Sequence, residues 1–368
     1  MNSHHYNFII FRTDRLGDFI IHSRPIYELK FKYPNSHITV VCSSLNEKII
    51  SNYSFIDEVI IHNKYDSLFK KFNNFFKIIK KKYYAAFILD GKKFSHLCNI
   101  FINSKNKLGL VYISQKKIFT FKFWVKSPLY IYNSIFFDKY EIFTSKKSLT
   151  KSENLCQKYI NLFSEFNNTV IKTSSRYIFN SNITNEQNYR KIINSINYKK
   201  YLLIHFDEKW ADIDSIDKML IGAIENLQKN SQLNIIITGY NNKFDYYKNL
   251  KKHFPYLNCL NNSNLPIFSN INNSKVVILD NLEIFLFERF IKNSIANISC
   301  HSGFLVQVSG ANNTPVIDII NEKDHIWYEC WKPLNTIHHF IYKSNHEGQI
   351  EPLKIFSNVS NVLNRIGY

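Results

Sequence analysis

The sequence predicts an α/β protein of two Rossmann-like domains, each a doubly wound parallel sheet, facing each other across a central cleft. Three observations lead to this prediction. The chain has 368 residues, more than one hydrophobic core usually supports. Apolar runs alternate with amphipathic runs in two series, beginning near Phe8 and Tyr201, and such alternation is typical of parallel sheets. Polar residues and glycine follow several apolar runs, where parallel sheets bind ligands.

The first series runs from the N-terminus to about residue 91. Apolar runs rich in β-branched and aromatic residues predict strands at 8–12, 37–42, 57–63 and 84–91. Helical periodicity predicts helices at 19–32, where Pro34 ends the helix, 46–51 and 66–82. The aromatic and basic segment from about 113 to 180 is expected to hold the other elements of this domain and the linker.

The second series begins at residue 201. Its apolar runs predict strands at 201–206, 233–239, 275–281, 296–300 and 315–320. The segments between them predict helices at 214–230, 243–253, 283–293 and 302–310. A helical tail at 351–368 is expected to pack back across the domain boundary. The predicted domains are therefore 1–185 and 186–350, followed by this tail.

The chain is strongly basic, with 47 Lys and Arg against 29 Asp and Glu, a formal charge of +18. This balance favours anionic partners such as phosphorylated small molecules, an acidic membrane surface or nucleic acid. The lysines are scattered and no nucleic-acid-binding module is recognisable, so we expect no nucleic acid partner.

The six cysteines show no CxxC and no regular spacing, which predicts reduced, mostly buried thiols and no zinc site. The N-terminus lacks a signal-peptide pattern, and no run of roughly 18 apolar residues appears. We therefore expect a cytoplasmic protein without a membrane span, able to sit at the inner face of the inner membrane as a peripheral protein.

The loop after the first strand carries unusual charge for a turn. Arg12, Arg15, Gly17 and Asp18 lie between a buried strand and a helix, where helix amides and the positive dipole end point at a ligand. Asp18 is predicted at or near the N-cap, and its local pattern alone favours a cap over a catalyst. The two arginines are less easily explained by capping and suit a phosphate or an acidic acceptor.

A second polar turn follows the strand at 296–300. Ser302 is a good N-cap, and Gly303 would let a ligand approach backbone amides, which predicts a small phosphate cradle. His301 is either a ligand contact or a satisfied turn histidine, and the sequence favours neither.

Lys209 follows the strand at 201–206 and suits a diphosphate as a mobile point charge. An ordinary exposed lysine is the simpler interpretation without the neighbouring sites. Asp212 and Asp214 form a D-x-D pattern that elsewhere binds a metal and a diphosphate. Here they precede a helix, so we interpret them as helix N-terminal acids and expect no metal and no cofactor.

Together these stretches resemble glycosyltransferase family 9, the ADP-heptose:lipopolysaccharide heptosyltransferases. The resemblance lies in the R-x-D-x-x-G-D loop at 12–18, in Pro25, and in the segments "YAAFILDG", "HFDEKWADID" and "SCHSGFLVQVSGANNTPVIDII". It covers most of the chain except about 113–195, and the opening motif is its most specific part.

The resemblance implies a GT-B fold and an inverting, metal-independent transfer. The acceptor would bind mainly to the first domain and the nucleotide sugar mainly to the second. The family's catalytic aspartate falls on Asp18, and its phosphate-binding lysine on Lys209. The expected partners are ADP-heptose or another nucleotide sugar, a lipid-linked or oligosaccharide acceptor, and an anionic membrane surface.

Three departures concern the nucleotide pocket. His301 replaces the family's acid before Ser-Gly, and Val306 replaces its histidine. The acidic ribose-binding position has no counterpart in Tyr240-Asn241-Asn242. Two alternatives therefore stay open beside a heptosyltransferase: an enzyme of the same fold that uses another nucleotide sugar for capsule or another glycan, and an inactive homologue that binds a nucleotide or glycan.

Overall fold

A computed structural model describes residues 6–118, 121–126, 128–168, 179, 183–213, 216–240, 243–259, 274–334, 336–345 and 347–368. The chain forms two compact units. Unit 1 comprises residues 1–178 and 329–331, and unit 2 comprises residues 179–328 and 332–368. Each unit contains one sheet dominated by parallel strands.

The sheet of unit 1 has the order β3-β2-β1-β4-β5-β6, and β7 also pairs with β5. Its pairs are parallel except for the antiparallel β5–β6 hairpin. The strands are β1 Asn7–Arg12, β2 His37–Cys42, β3 Glu58–Ile61, β4 Lys82–Ile88, β5 Asn103–Ile118, β6 Phe121–Lys126 and β7 Lys139–Thr144.

Helices cover both faces of this sheet. They are α1 Leu16–Lys32, α2 Glu47–Ile50, α3 Leu68–Ile79, α4 Lys93–Phe101, α5 Pro128–Ile135 and α6 Leu155–Asn167. On one face, Phe87 of β4 stacks on Phe163 of α6, with ring centroids 4.4 Å apart. On the other, Ile78 of α3 and Cys98 of α4 join a core cluster with alternate residues of β1 and β4.

The sheet of unit 2 has the order β10-β11-β9-β8-β12-β13-β14-β15, and only the last pair is antiparallel among the described strands. The strands are β8 Tyr201–Phe206, β9 Asn234–Gly239, β10 Tyr256–Asn258, β11 Val276–Asp280, β12 Ala296–Ser299, β13 Val316–Asn321, β14 His338–Asn345 and β15 Gly348–Gln349. Nearly continuous apolar sequence, as in "YLLIHF", reflects burial of both faces.

The remaining helices are α7 Ile183–Ile196, α8 Ile216–Ser231, α9 Asp245–His253, α10 Ile284–Asn293, α11 Gly303–Asn312, α12 His325–Cys330 and α13 Pro352–Arg365. The C-terminal helix α13 buries Ile355, Val359 and Leu363 in the core of unit 2, where α13 packs against α8. Its expected packing across the domain boundary stays a prediction.

Most predicted elements are present within two or three residues of their predicted bounds, and the α/β class is confirmed. The clearest omission is β5, a 16-residue strand. Lys105, Lys107, Lys116 and Lys117 interrupt its apolar pattern. Lys116 and Lys117 lie in the second half of the strand, which pairs with β6. Lys107 lies in the first half, beside β4, and its ammonium donates to the Asn99 carbonyl (2.7 Å).

All six cysteines are buried and free, as the sequence predicted. Burial raises the pKa of Cys42 and of Cys259 to about 12. Within the described residues, no helix combines the length and the apolar character needed to cross a bilayer.

Candidate functional site

Asp18 lies in the first turn of α1, at the carboxyl edge of the unit 1 sheet. The helix begins at Leu16, so Arg15 is the N-cap residue and Asp18 occupies the third helical position instead of the cap. Asp18 Oδ2 accepts a hydrogen bond from the Arg15 N–H (3.2 Å), while the Asp18 N–H donates to the Arg15 carbonyl (3.1 Å). These bonds hold the carboxylate in place, and a quarter of its side chain stays exposed (25%).

Arg12 lies beneath this carboxylate, with only 1% of its side chain exposed. Its guanidinium donates to the Leu89 carbonyl and to the Tyr159 hydroxyl (3.2 Å), and Nη1 pairs with Asp14 at 3.3 Å. Nη2 lies 3.9 Å from Asp18 Oδ1. The buried cation therefore fixes and partly neutralises two carboxylates, while its own contact with a ligand stays a prediction.

The surroundings of Asp18 make it a better proton acceptor than a solvated aspartate. Burial raises its pKa, and the nearby Arg12 charge opposes this only in part. His22, one turn later, donates from Nδ1 to the Asp18 carbonyl (2.8 Å). Burial lowers the pKa of His22 well below its usual range, so this imidazole is neutral and adds no positive charge.

Arg15 and Gly17 flank this carboxylate in different environments. The Arg15 side chain is exposed, whereas Gly17 is buried in the first turn of α1. Arg15 is thus free to reach solvent at the sheet edge. Contacts of either residue with an acceptor or a phosphate stay predictions.

Asp90, which follows β4, is a further acid of this edge that the sequence analysis did not select. Its Oδ2 accepts from the Thr13 N–H (2.9 Å) and from the Thr13 hydroxyl (2.6 Å). Burial raises the pKa of Asp90. The signal was present in the sequence, since Asp90 ends the run "FILDG" and the carboxyl ends of neighbouring parallel strands meet at one edge. Asp90 therefore holds the β1–α1 loop in position.

Lys209 lies in a 3-10 turn, Glu208–Asp212, directly after β8. Its ammonium group donates to the His301 carbonyl, which follows the neighbouring strand β12. The turn is anchored by Trp210, a fully buried side chain whose Nε1 donates to the backbone of β8 (2.8 Å). The structure therefore brings together Lys209 and the His301 turn, two segments whose sequences each predict phosphate binding.

The His301 imidazole is the outer end of a buried polar chain, with 11% of its side chain exposed. Its Nδ1 donates to Asp318 Oδ2 (2.5 Å), and His338 Nε2 lies 3.3 Å from the same oxygen. Burial alone would raise the pKa of Asp318, but His301 and His338 together hold it well below its usual range. The Tyr328 ring packs on the imidazole at 3.9 Å between centroids. With Nδ1 engaged by Asp318, His301 Nε2 has no hydrogen-bond partner among the described residues.

His301 also has a left-handed backbone, with φ of +51°. Such a conformation is uncommon for residues other than glycine, although histidine adopts it more often than most. It turns the chain between β12 and α11. The contacts of both its side chain and its carbonyl thus depend on this turn.

Ser302 and Gly303 form the start of α11, as predicted. Ser302 is the N-cap residue, although its side chain makes no capping hydrogen bond. A Cβ atom added at Gly303 would meet no other atom within 4 Å, so open space lies above this backbone. The first amides of α11 are thus accessible to an anionic group. Val306 is buried and contributes no polar atom to this edge.

Asp212 forms an ion pair with Lys343 (3.1 Å), whose ammonium also donates to the Lys209 carbonyl (2.8 Å). This acid therefore faces a lysine of β14. Asp214, Asn241 and Asn242 lie outside the described residues. In the part of the chain that the structure describes, no group of three or more His, Cys, Asp or Glu side chains is placed to hold a metal ion.

The solved structures with similar folds include glycosyltransferases and a putative UDP-N-acetylglucosamine 2-epimerase from Listeria monocytogenes, which has a TM-score of 0.55. One of the glycosyltransferases is a family 9 glycosyl transferase from Veillonella parvula DSM 2008, with a TM-score of 0.67 and 12% identity. The match covers 97% of this chain and 91% of that one. The heptosyltransferase WaaC of E. coli, solved with ADP-2-deoxy-2-fluoro heptose, matches with a TM-score of 0.64 and 11% identity, over 98% of this chain and all (100%) of its own. This chain has the GT-B fold.

A third similar structure is the ADP-heptose lps heptosyltransferase II of E. coli, with a TM-score of 0.62, 12% identity, and coverage of 99% of this chain and 100% of its own. No family model matches the sequence, and the search of curated proteins returns no match. The likeness confirms the predicted GT-B fold with two Rossmann-like domains. At this identity the likeness establishes the fold alone.

Proposed function

We propose that this protein is an inverting glycosyltransferase that moves heptose or a related sugar from a nucleotide-sugar donor to a lipopolysaccharide core or another surface glycan. One observation carries this proposal. A GT-B fold presents a partly exposed, elevated-pKa carboxylate, Asp18, at one sheet edge, and a lysine, an imidazole and free helix amides at the other. The first set suits an acceptor hydroxyl, and the second suits a diphosphate.

In the proposed reaction, Asp18 takes the proton of the acceptor hydroxyl. The acceptor oxygen then forms a bond to the anomeric carbon of the donor sugar, from the face opposite the diphosphate. The bond from this carbon to the diphosphate oxygen breaks, and the nucleoside diphosphate leaves with the electron pair. Arg12 is a positioning residue, because it holds Asp18 and Asp14 from below without reaching the surface.

The leaving group gathers negative charge as this bond breaks. The Lys209 ammonium, the first amides of α11 and the His301 Nε2–H are the groups we assign to its stabilisation. Asp318 supports this assignment, because it accepts from His301 Nδ1, and in the imidazolium form the second proton, on Nε2, is then left for the ligand. No metal is needed in this scheme.

The donor base and the acceptor remain open choices within this proposal. The exchange of an acid for His301 makes the phosphate side more positive than the family pattern implies, and it suits a donor other than ADP-heptose equally well. A homologue that only binds its ligand is the second candidate, motivated by the loss of polar character at Val306. The intact arrangement around Asp18 favours an enzyme.

A thermal-shift screen tests the proposal. The parent protein is heated with a panel of nucleoside diphosphates and nucleotide sugars, because a ligand that binds the native state raises the melting temperature. We expect a selective shift with one base, and transfer from the matching sugar nucleotide that survives EDTA. A selective shift without turnover on any acceptor would favour the binding-only candidate. Absence of any shift would contradict a donor site, and loss of turnover in EDTA that Mg²⁺ restores would contradict metal independence.

A further inference from the structure

Helix α3 of unit 1 leaves most of its apolar side chains in solvent. Only Ile78 is buried in this helix. Four large apolar residues form an exposed stripe, and their exposed fractions are 73% for Leu68, 83% for Phe69, 59% for Phe72 and 48% for Phe76. An amphipathic helix of a globular protein normally turns its apolar face to the core. At a spacing of 100° per residue, this stripe covers a separate arc of about 100° beside the core-facing side.

The two neighbouring helices also carry exposed apolar residues. Phe75 of α3, which packs against the core, contacts the Phe101 ring of α4 at 5.8 Å, and Phe101 is itself 59% exposed. Helix α4 packs against α5. We call the exposed residues of the three helices the apolar layer: Leu68, Phe69, Phe72, Phe76, Leu97, Phe101, Ile131, Tyr132 and Ile135. Single exposed apolar residues need no explanation, but a group of this size marks an interaction surface.

Lysines border this layer. Residues 64–82 contain seven lysines and one acid, Asp66, a formal charge of +6. Some of these lysines form ion pairs. Lys70 pairs with Asp66 (3.0 Å). Lys77 and Lys81 both pair with Glu58, at 2.9 and 2.8 Å. Two acids cannot balance seven lysines, so the border of the layer stays positive. Phenylalanine and leucine beside lysine are typical of helices that lie in the interface of a bilayer.

We infer that the apolar layer docks on the surface of an anionic lipid bilayer, with its phenylalanines among the headgroups and its lysines against lipid phosphates. Charge complementarity selects this occupant over a second copy of the chain, because a symmetric contact would bring two +6 segments together. The helix lies on the bilayer and does not cross it, since α3 has 12 residues. This inference does not depend on the transferase proposal, because it concerns lipid binding alone.

Vesicle co-sedimentation tests the inference with no donor or acceptor present. The full chain is mixed with vesicles of phosphatidylcholine and phosphatidylglycerol, and separately with vesicles of phosphatidylcholine alone. The test variant carries Phe69→Ser and Phe72→Ser. The matched control is Phe31→Ser, which changes a phenylalanine with 73% exposure on α1, outside the apolar layer. We expect the parent and control to bind anionic vesicles, the double variant to bind at least about tenfold more weakly, and added salt to weaken all binding.

Four results would each overturn the inference. The first two are failure of the parent to sediment with anionic vesicles and equal sedimentation with neutral ones. The third is a double variant that binds as tightly as the Phe31→Ser control. The fourth is a dimer in sedimentation velocity that only the double variant loses, which would assign the layer to a second copy. Circular dichroism of each variant excludes unfolding as the cause.

Discussion

The two units share one architecture but layer their charges in opposite order. In unit 1 the ion buried beneath Asp18 is a cation, Arg12, and the acids Asp14 and Asp18 lie above it with 19% and 25% of their side chains exposed. In unit 2 the ion buried beneath His301 is an acid, Asp318, which is fully enclosed. Each buried ion is paired with the groups between it and the ligand edge.

This inversion shows how a sheet edge acquires its chemistry. A buried ion is costly unless it is paired, so its sign dictates the sign of the partners at the surface. A buried guanidinium recruits carboxylates, which accept protons. A buried carboxylate recruits histidines, which donate hydrogen bonds to anions. The sequence of the edge loop alone does not reveal which ion lies beneath.

The strongest test of the contrast replaces Asp18 by Asn. We expect turnover to fall about a hundredfold or more, because the amide keeps the shape and cannot accept the proton. Nucleoside diphosphate binding, measured by calorimetry, should stay near that of the parent. Asp14→Asn, which also removes a partner of Arg12, is the control and should cost less than about tenfold. Equal losses in both variants would mean that the edge needs negative charge and not a specific base.

Lys209→Ala examines the cationic edge of unit 2. Loss of a charge-assisted contact should weaken nucleoside diphosphate binding roughly ten- to a hundredfold, with acceptor binding unchanged. Lys200→Ala removes an exposed lysine that directly precedes β8 and should have no effect. If calorimetry gives the same affinity for both variants and the parent, the diphosphate binds elsewhere.

Gly303→Val tests the amides of α11 without changing any charge. The new side chain enters open space, so folding should be unaffected, but it should hinder approach of a phosphate and weaken binding about tenfold. Gly222→Val in α8 is a matched control, because its Cβ also meets no atom within 4 Å. Parent-like affinity in the Gly303 variant would show that the cradle is not used.

The smallest expected effect concerns Asp207, which lies beside Lys209. Burial raises its pKa to about 6, above the value of about 3.9 for an unfolded chain. Its protonated form therefore stabilises the native state below pH 4, and this stabilisation is lost as the pH rises through 6. Asp207→Asn should lack this loss, so its free energy of unfolding should gain on the parent by on the order of 1 kcal/mol between pH 4 and pH 7. Urea denaturation measures both free energies of unfolding. The same difference between variant and parent at pH 4 and at pH 7 would contradict the buried-acid interpretation.

Sequence patterns predicted the fold well wherever a strand is buried on both faces. The runs at 37–42 and 201–206 match β2 and β8 residue for residue. The same patterns did not predict β5, in which lysines and asparagines interrupt the apolar residues. They also did not predict β14, which carries several polar residues. Half-exposed strands carry too little apolar periodicity to identify.

The candidate site was predictable only where one loop contains its residues. The 12–18 loop and the 301–303 turn were found because glycine, charge and position coincide. Asp318 and His338 were missed because their contact depends on which strands pair and in which register. In the structure β13 pairs with β14, and Val316 lies opposite His338. Tyr159 was missed because it lies in the segment whose elements could not be assigned. The spacing of residues along the chain does not predict pairing between distant strands.

The buried thiols offer a way to observe each unit separately. Cys42, Cys98, Cys156 and Cys330 belong to unit 1, and Cys259 and Cys300 belong to unit 2. Burial keeps such thiols protonated and out of reach, so a disulfide-exchange reagent can react only when the surrounding structure opens. The rate of labelling then reports the opening of that region. Mass spectrometry of the first modified peptide would reveal which unit opens first. Labelling with a nucleotide present would show whether the nucleotide slows the opening of that unit alone.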